Sequence, residues 1–240
     1  KDISVKSGIS IVDFKSLNQF LMTSDVSEDK FSDKVNTFQT ESTGRPSIET
    51  GFHSYLGKFV IHTHSVFTNI LNCSVEGKDQ IKKLFPDAIL IKYATPGRDL
   101  TKEIINNTSY PPKLSGIIFL ESHGIIVWAE NSEEAISIHE NISKKIISAY
   151  NLPPFLFDQK KSYSLVSDSS QILFPDQAVF TLAGDEILNS PSAQETICSH
   201  NYIVSSIQSI GFKPMFLSKK ESSKLINMES EKYRQSLITK

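Results

Sequence analysis

The sequence predicts a mixed protein of strands and helices, in the α/β or α+β class, and three observations carry that prediction. Residues Lys58 to His62 and Ala88 to Lys92 are short apolar, β-branched runs of strand length. Gly116 to Leu120 and Ile125 to Trp128 are two further apolar runs, split by Glu121-Ser122-His123-Gly124, the pattern of paired strands with a tight connection. Asn131 to Ala149 carries a helical stripe of Ala135, Ile138, Ile142 and Ile146. Strands and helices interleave along the chain, which fits either mixed class.

Each element follows in order. Thr23 to Arg45 is rich in Ser, Thr, Asp, Glu and Lys. It reads as largely exposed: a strand end, a loop and a turn of helix. Pro46 to Leu56 opens a helix, with Ser47 near its N-cap and Glu49 and Thr50 in its first turn. The strand Lys58 to His62 comes next, then a helix over Val66 to Leu71. The strand Ala88 to Lys92 is punctuated by Thr95-Pro96-Gly97, and Asp99 to Asn106 suits a helix. Ser132, with Glu133 and Glu134 behind it, starts the long helix, and Asn151 to Pro154 ends it. Ile172 to Leu182 reads as a short strand, Ser192 to Gly211 as a helix, and Glu221 to Ser236 as a polar amphipathic helix.

At 240 residues the chain can bury a sizeable core in one domain, or in one domain with an extension. Its formal net charge of −2 offers no basic excess for nucleic acid or an anionic membrane surface. No run of about 18 apolar residues marks a membrane span. The chain opens at Lys1 with neither Met nor a signal-peptide pattern, which leaves room for a missing upstream segment. Cys73 and Cys198 stand far apart, unlike a disulfide scaffold, so a cytoplasmic location is expected.

Three of the six histidines stand where a metal would use them. His62-Thr63-His64 closes a strand. Side chains two apart on a strand share a face, so both imidazoles can reach one cation. His123 lies between two strands, where Gly124 permits a sharp turn. Three neutral imidazoles with an open position form the ligand set of a catalytic zinc site. The plainer reading is that strand-end histidines cap backbone groups. Glu49 is either a ligand or general base beside such a site, or a first-turn glutamate facing the helix dipole. His53, one helical turn beyond Glu49, either supports it or is simply packed. Ser47 either takes an anion at a helix start or is a plain N-cap.

In order along the chain, these pieces resemble the class II aldolase/adducin family. The resemblance is carried by Arg45-Pro46-Ser47-Ile48-Glu49-Thr50 with His53, and by Val60-Ile61-His62-Thr63-His64-Ser65. It continues through Tyr93-Ala94-Thr95-Pro96-Gly97, Glu121-Ser122-His123-Gly124 and the helix from Asn131 to Ala149. It covers residues 1 to 150, and it implies a three-layer α/β/α sandwich around a mainly antiparallel sheet. It also implies homotetramers with active sites at subunit interfaces. By the same resemblance His62, His64 and His123 bind zinc or another divalent transition metal, and Glu49 is the catalytic acid/base. Ser7 and Gly8 resemble the family's first phosphate-binding loop, and Ser47 part of the second. The expected division is a family domain over residues 1–185 and a helical extension over 186–240, packed on the core.

Three departures from the family pattern stand out. The chain begins almost at the Ser7-Gly8 loop, without the usual preceding helix and Gly-Asn loop. No tyrosine matches the proton donor of the family's aldolases. The stretch from Ile172 to Lys240 is longer than the simplest members need. The expected activity is a carbon–carbon lyase reaction, reversible aldol cleavage of a sugar or sugar phosphate through an enediolate that the cation stabilises. Glu49 would move the proton. The alternatives are 4-epimerisation, decarboxylation or dehydration on the same metal site, and a non-catalytic adducin-like scaffold. Such a scaffold is expected to lack the ligand set that this chain retains.

Overall fold

The apolar runs of the sequence alternate between two faces, and each face meets helices. The computed structural model describes residues 9–24, 26–42, 44–166, 171–182 and 185–228. Its elements in chain order are β1 (Ser10–Val12), α1 (Phe14–Thr23), α2 (Glu28–Asn36), β2 (Gln39–Ser42), α3 (Thr50–Leu56), β3 (Phe59–Thr63), α4 (Val66–Asn72), α5 (Gly77–Leu84) and β4 (Ile89–Ile91). They continue with α6 (Arg98–Asn107), β5 (Gly116–Leu120), β6 (Gly124–Ala129), α7 (Ser132–Tyr150), α8 (Pro175–Thr181), α9 (Asp185–Leu188), α10 (Pro191–Ser209) and α11 (Lys219–Ile226).

The central sheet has the order β3-β6-β5-β4. Its β3–β6 and β5–β6 pairs are antiparallel and its β4–β5 pair is parallel. Ile118, Leu120, Ile126 and Trp128 face one side, against Phe52, Tyr55 and Leu56 of α3 and Leu100 and Ile104 of α6. Phe119, Ile125 and Val127 face the other, against α4, α5, α7 and α10 through Ile70, Ile81, Ile142 and Ile203. The period of two along each strand thus builds both interfaces of a helix–sheet–helix sandwich. Every residue of β6 is buried, as a strand covered on both faces requires. Each large aliphatic side chain so covered contributes about 1.5–3 kcal/mol through water-to-interior transfer. β1 and β2 form a separate antiparallel pair, beside a small cluster of Leu17, Phe31 and Val35.

Two sequence readings are corrected. The polar stretch from Thr23 to Arg45 holds α2 and β2, and Phe31 and Val35 within it are each 1% exposed. Two apolar residues spaced by one helical turn are enough to dock a helix, although the segment's composition is that of a loop. The run from Ile172 to Leu182 is not a strand but contains α8. Pro175 occupies its first turn, where the missing N–H costs nothing, and Phe174 is the extended N-cap residue. Short apolar runs do not separate the two states by pattern alone. The expected helix from Glu221 to Ser236 is represented by α11, which opens on a Ser218/Glu221 capping box, and the part from 229 onward lies outside the described residues.

Candidate metal centre

His62 stands near the end of β3, and His64 follows just past it. His62 projects toward Phe52 of α3, and the His64 ring stands beside it, with centroids 5.0 Å apart. Thr63 between them turns the other way, and its hydroxyl meets His139 Nε2 of α7 at 2.7 Å. His123 comes from the turn joining β5 and β6. Its ring centroid lies 5.1 Å from that of His62 and 4.8 Å from that of His64. One nitrogen from each of the three rings falls within 4.8 Å of the others.

The turn that carries His123 is held from two sides. Glu121 N–H donates to the Ile91 carbonyl of β4, and Ser122 N–H donates to the Asn72 carbonyl of α4. Asn69 Nδ2 donates to the His123 carbonyl at 3.1 Å, and Asn72 Nδ2 to the Gly124 carbonyl at 2.8 Å. These two asparagines are three apart on α4 and so share a face. The left-handed residue of the turn is Ser122, at φ 49°, not Gly124. Gly124 is needed for a different reason: a Cβ there would stand 2.4 Å from the Thr63 carbonyl oxygen.

The protonation state suits ligation. His62 Nδ1 donates to the Ile125 carbonyl at 3.0 Å, which leaves the lone pair on Nε2. Burial pulls the His62 pKa down to about 3, against the opposing charge of Glu49. Burial likewise lowers that of His123, which is 2% exposed. Both rings are therefore neutral near pH 7, the form that binds a metal. His62 Nε2 and both ring nitrogens of His123 are buried without a hydrogen-bond partner among the described residues. Buried polar atoms are nearly always paired, and a cation would take up the lone pair that each of these neutral rings offers. The three histidines fit a divalent metal by number, spacing and charge state.

Glu49 reaches the same point. Its Oε2 lies 3.5 Å from His62 Nε2 and its Oε1 lies 3.4 Å from His123 Nε2, close electrostatic contacts without hydrogen-bond geometry. Burial alone would raise its pKa, but the charge available on His62, and then His123 and His64, holds the carboxyl well below the usual carboxylate range. α3 starts about two residues later than the sequence suggests, so Glu49 and not Ser47 is its N-cap residue, and Glu49 makes no side-chain cap bond. The carboxylate faces the histidines and not the helix amides. Ser47 lies before the helix and is exposed; its hydroxyl accepts from Glu49 N–H at 3.2 Å. His53 stacks on Phe52 with centroids 4.7 Å apart, and its pKa is lowered by burial. Ser7 and Gly8 lie outside the described residues.

Three residues at this centre escape a reading of the sequence. Asn69 and Asn72 look like ordinary polar positions of a short helix. Asp176 of α8 meets His64 Nδ1 at 2.5 Å through its Oδ2. The available signals were a pair of asparagines at helical spacing and a carboxylate just after Phe174-Pro175, and neither points to a site by itself.

The family described as class II aldolase and adducin N-terminal domain matches residues 4–145. A protein of Bacillus subtilis (strain 168) named uncharacterized oxidoreductase YuxG is 33% identical over 91 residues, covering 37% of this chain and 13% of that protein. The methylthioribulose-1-phosphate dehydratase of Bacillus pumilus (strain SAFR-032) is 27% identical over 134 residues, covering 47% of this chain and 57% of that enzyme. The chain thus spans less than two thirds of the length of either relative. The N-terminal class II aldolase domain of a conserved protein from Thermoplasma acidophilum shares the fold, with a TM-score of 0.52 and 23% identity over 58% of this chain and 65% of that one. A family match that spans more than half of the chain, together with this shared fold, shows that the chain belongs to the class II aldolase and adducin family.

Proposed function

We propose that this chain is a metal-dependent lyase acting on a sugar or sugar phosphate, and that its reaction is reversible aldol cleavage. The observation that carries the reading is the convergence of Glu49 with His62, His64 and His123. The three imidazoles would hold zinc or another divalent transition metal. When bound, such a cation acts as a Lewis acid that stabilises negative charge developing on a carbonyl oxygen. Glu49, ionised near pH 7 and held at 3.4–3.5 Å from two of the imidazoles, is the proton acceptor and donor at the substrate carbon. Phe52 packs edge-on against His62, its ring 5.5 Å from the imidazole.

Dehydration is the second reading, supported by the similarity to the methylthioribulose-1-phosphate dehydratase. It needs the same proton transfer by Glu49. The two separate by product: an aldolase releases an aldehyde, whereas a dehydratase keeps the carbon chain whole. On the lead reading residues 1–185 form the catalytic domain and 186–240 a helical extension; the assembly is a homotetramer, as the resemblance implies.

The test begins with elemental analysis of the purified chain beside a His62→Ala/His64→Ala variant, followed by a panel of phosphorylated ketoses. One metal ion per chain, lost in the variant, with aldehyde release abolished by Glu49→Gln, is the expected result. No metal after supply of zinc, manganese and cobalt, or full activity in Glu49→Gln, overturns the reading.

A further inference from the structure

His62 and His64 differ in what holds them. The outer nitrogen of His62 is tied to the Ile125 carbonyl, inside the sheet and inside the family-matched residues 4–145. The outer nitrogen of His64 is tied to Asp176, 112 residues further along the chain and beyond that match. We propose that Asp176 is a positioning residue of the metal centre, supplied by the segment that follows the family-matched residues 4–145: it accepts from His64 Nδ1–H, fixes the lone pair on Nε2 and sets the ring's orientation. The inference rests on the metal reading above. A carboxylate behind a ligating imidazole locks its tautomer and raises its basicity as a ligand.

The position of Asp176 is itself fixed by buried contacts. The next residue, Gln177, is fully buried; its Oε1 accepts from Leu173 N–H at 2.7 Å and its Nε2 donates to the Gln171 carbonyl at 2.9 Å. Leu173 and Phe174 belong to the main core cluster, with residues of α4, β6 and α10. α8 packs on α10, and α10 packs on α4, the helix that begins two residues after His64. The chain therefore closes a ring from His64 through α4, α10 and α8 back to Asp176. This segment is wired into the site and does not merely cover it.

The experiment compares the full chain with Asp176→Asn, Asp176→Ala, His64→Ala and the His64→Ala/Asp176→Asn double variant. Affinity for Zn²⁺ is read by competition with a chromophoric chelator, the Co²⁺ form by its visible absorption, and the metal-free fold by thermal unfolding. Asn keeps the volume and one acceptor atom, so the fold is expected to hold. The expected result is a loss of about 10–100-fold in affinity for Asp176→Asn and Asp176→Ala and a changed Co²⁺ spectrum, at unchanged metal-free stability. Once His64 is gone, Asp176→Asn is expected to cost nothing further, because it acts through that ring. Affinities within about twofold of a metal-binding wild type, or a full additional loss in the double variant, overturn the role of Asp176 and leave the metal reading standing. A wild type that takes up no Zn²⁺ or Co²⁺ overturns both.

Discussion

Gly124→Ala tests how the two halves of the metal centre are held in register. Gly124 opens β6, directly after His123, and sits against the end of β3, beside the Thr63 carbonyl and the His64 ring. A Cβ there would lie 2.4 Å from the Thr63 carbonyl oxygen and 3.1 Å from His64 Cδ2. The oxygen belongs to the backbone and cannot rotate away, so β3 and β6 must part by roughly 1.0 Å to restore an ordinary contact of 3.4 Å. Overpacking of this kind costs about 1–3 kcal/mol, and a backbone clash belongs in the upper half of that range. The displacement also exceeds the tolerance of about 0.2 Å within which metal–ligand distances are held, so affinity should fall together with stability. Urea unfolding of the metal-free chain and chelator competition for Zn²⁺ measure the two effects. Gly44→Ala is the control, since nothing lies within 4 Å of a Cβ there, and it should stay within about 0.5 kcal/mol of wild type. A Gly124→Ala chain as stable as that control and as tight for zinc would refute the close-approach argument.

Asn72→Leu removes the amide that donates to Gly124 and leaves that carbonyl buried without its partner; urea unfolding should show a loss of about 1–3 kcal/mol. Acid should destabilise the metal-free chain from about pH 6.5 downward, through His62. His62 stays neutral in the fold down to about pH 3 but takes up a proton near 6.5 when unfolded. Between those values the unfolded chain binds more protons, so stability rises with pH, and lowering pH from 6.5 to 5 should cost about 2 kcal/mol from this residue alone, measured by urea titration. Glu49, depressed below its ordinary 4.5, adds a loss in the same direction only at still lower pH. Zinc at a hundred times its dissociation constant should stabilise the wild type by about 2.7 kcal/mol near pH 7, and the His62→Ala/His64→Ala variant should show no such gain in thermal unfolding.

The parts of the fold legible in the sequence are those whose signal is local. Alternation over Ile117–Leu120 and Ile125–Trp128 announces two strands and both their faces, because side chains of period two must be covered on both sides when all are apolar. His62 and His64 are legible for the same reason. Gly124 is legible as a special position, but its reason is not: the turn takes its left-handed residue at Ser122, and the glycine answers to a carbonyl on another strand. Phe31 and Val35 were hidden by polar neighbours, since composition averages over a helix that needs only one narrow apolar edge. Asp176 was hidden more deeply. Its partner lies 112 residues away, and no periodicity within Ile172 to Leu182 encodes a contact made across α4 and α10.

Stability does not account for this centre. Among the described residues His62 Nε2 and the two ring nitrogens of His123 are buried without hydrogen bonds, and each such group costs about 1–3 kcal/mol. Glu49 adds a largely buried carboxylate beside them, and a charge in such a place is tolerated only when something pairs with it. Apolar side chains at these positions would extend the layer of Ile118, Ile126 and Phe52 and would stabilise the metal-free chain. The arrangement becomes favourable once a cation takes up the lone pairs and the carboxylate's charge together. Because Glu49, His62 and His64, His123 and Asp176 come from four separate segments, that same binding event ties α3, β3, the β5–β6 turn and α8 to one point. Affinity for metal and stability of this end of the sheet are therefore one quantity measured in two ways, and a substitution that weakens the first should lower the second in the metal-loaded chain by an equal free energy.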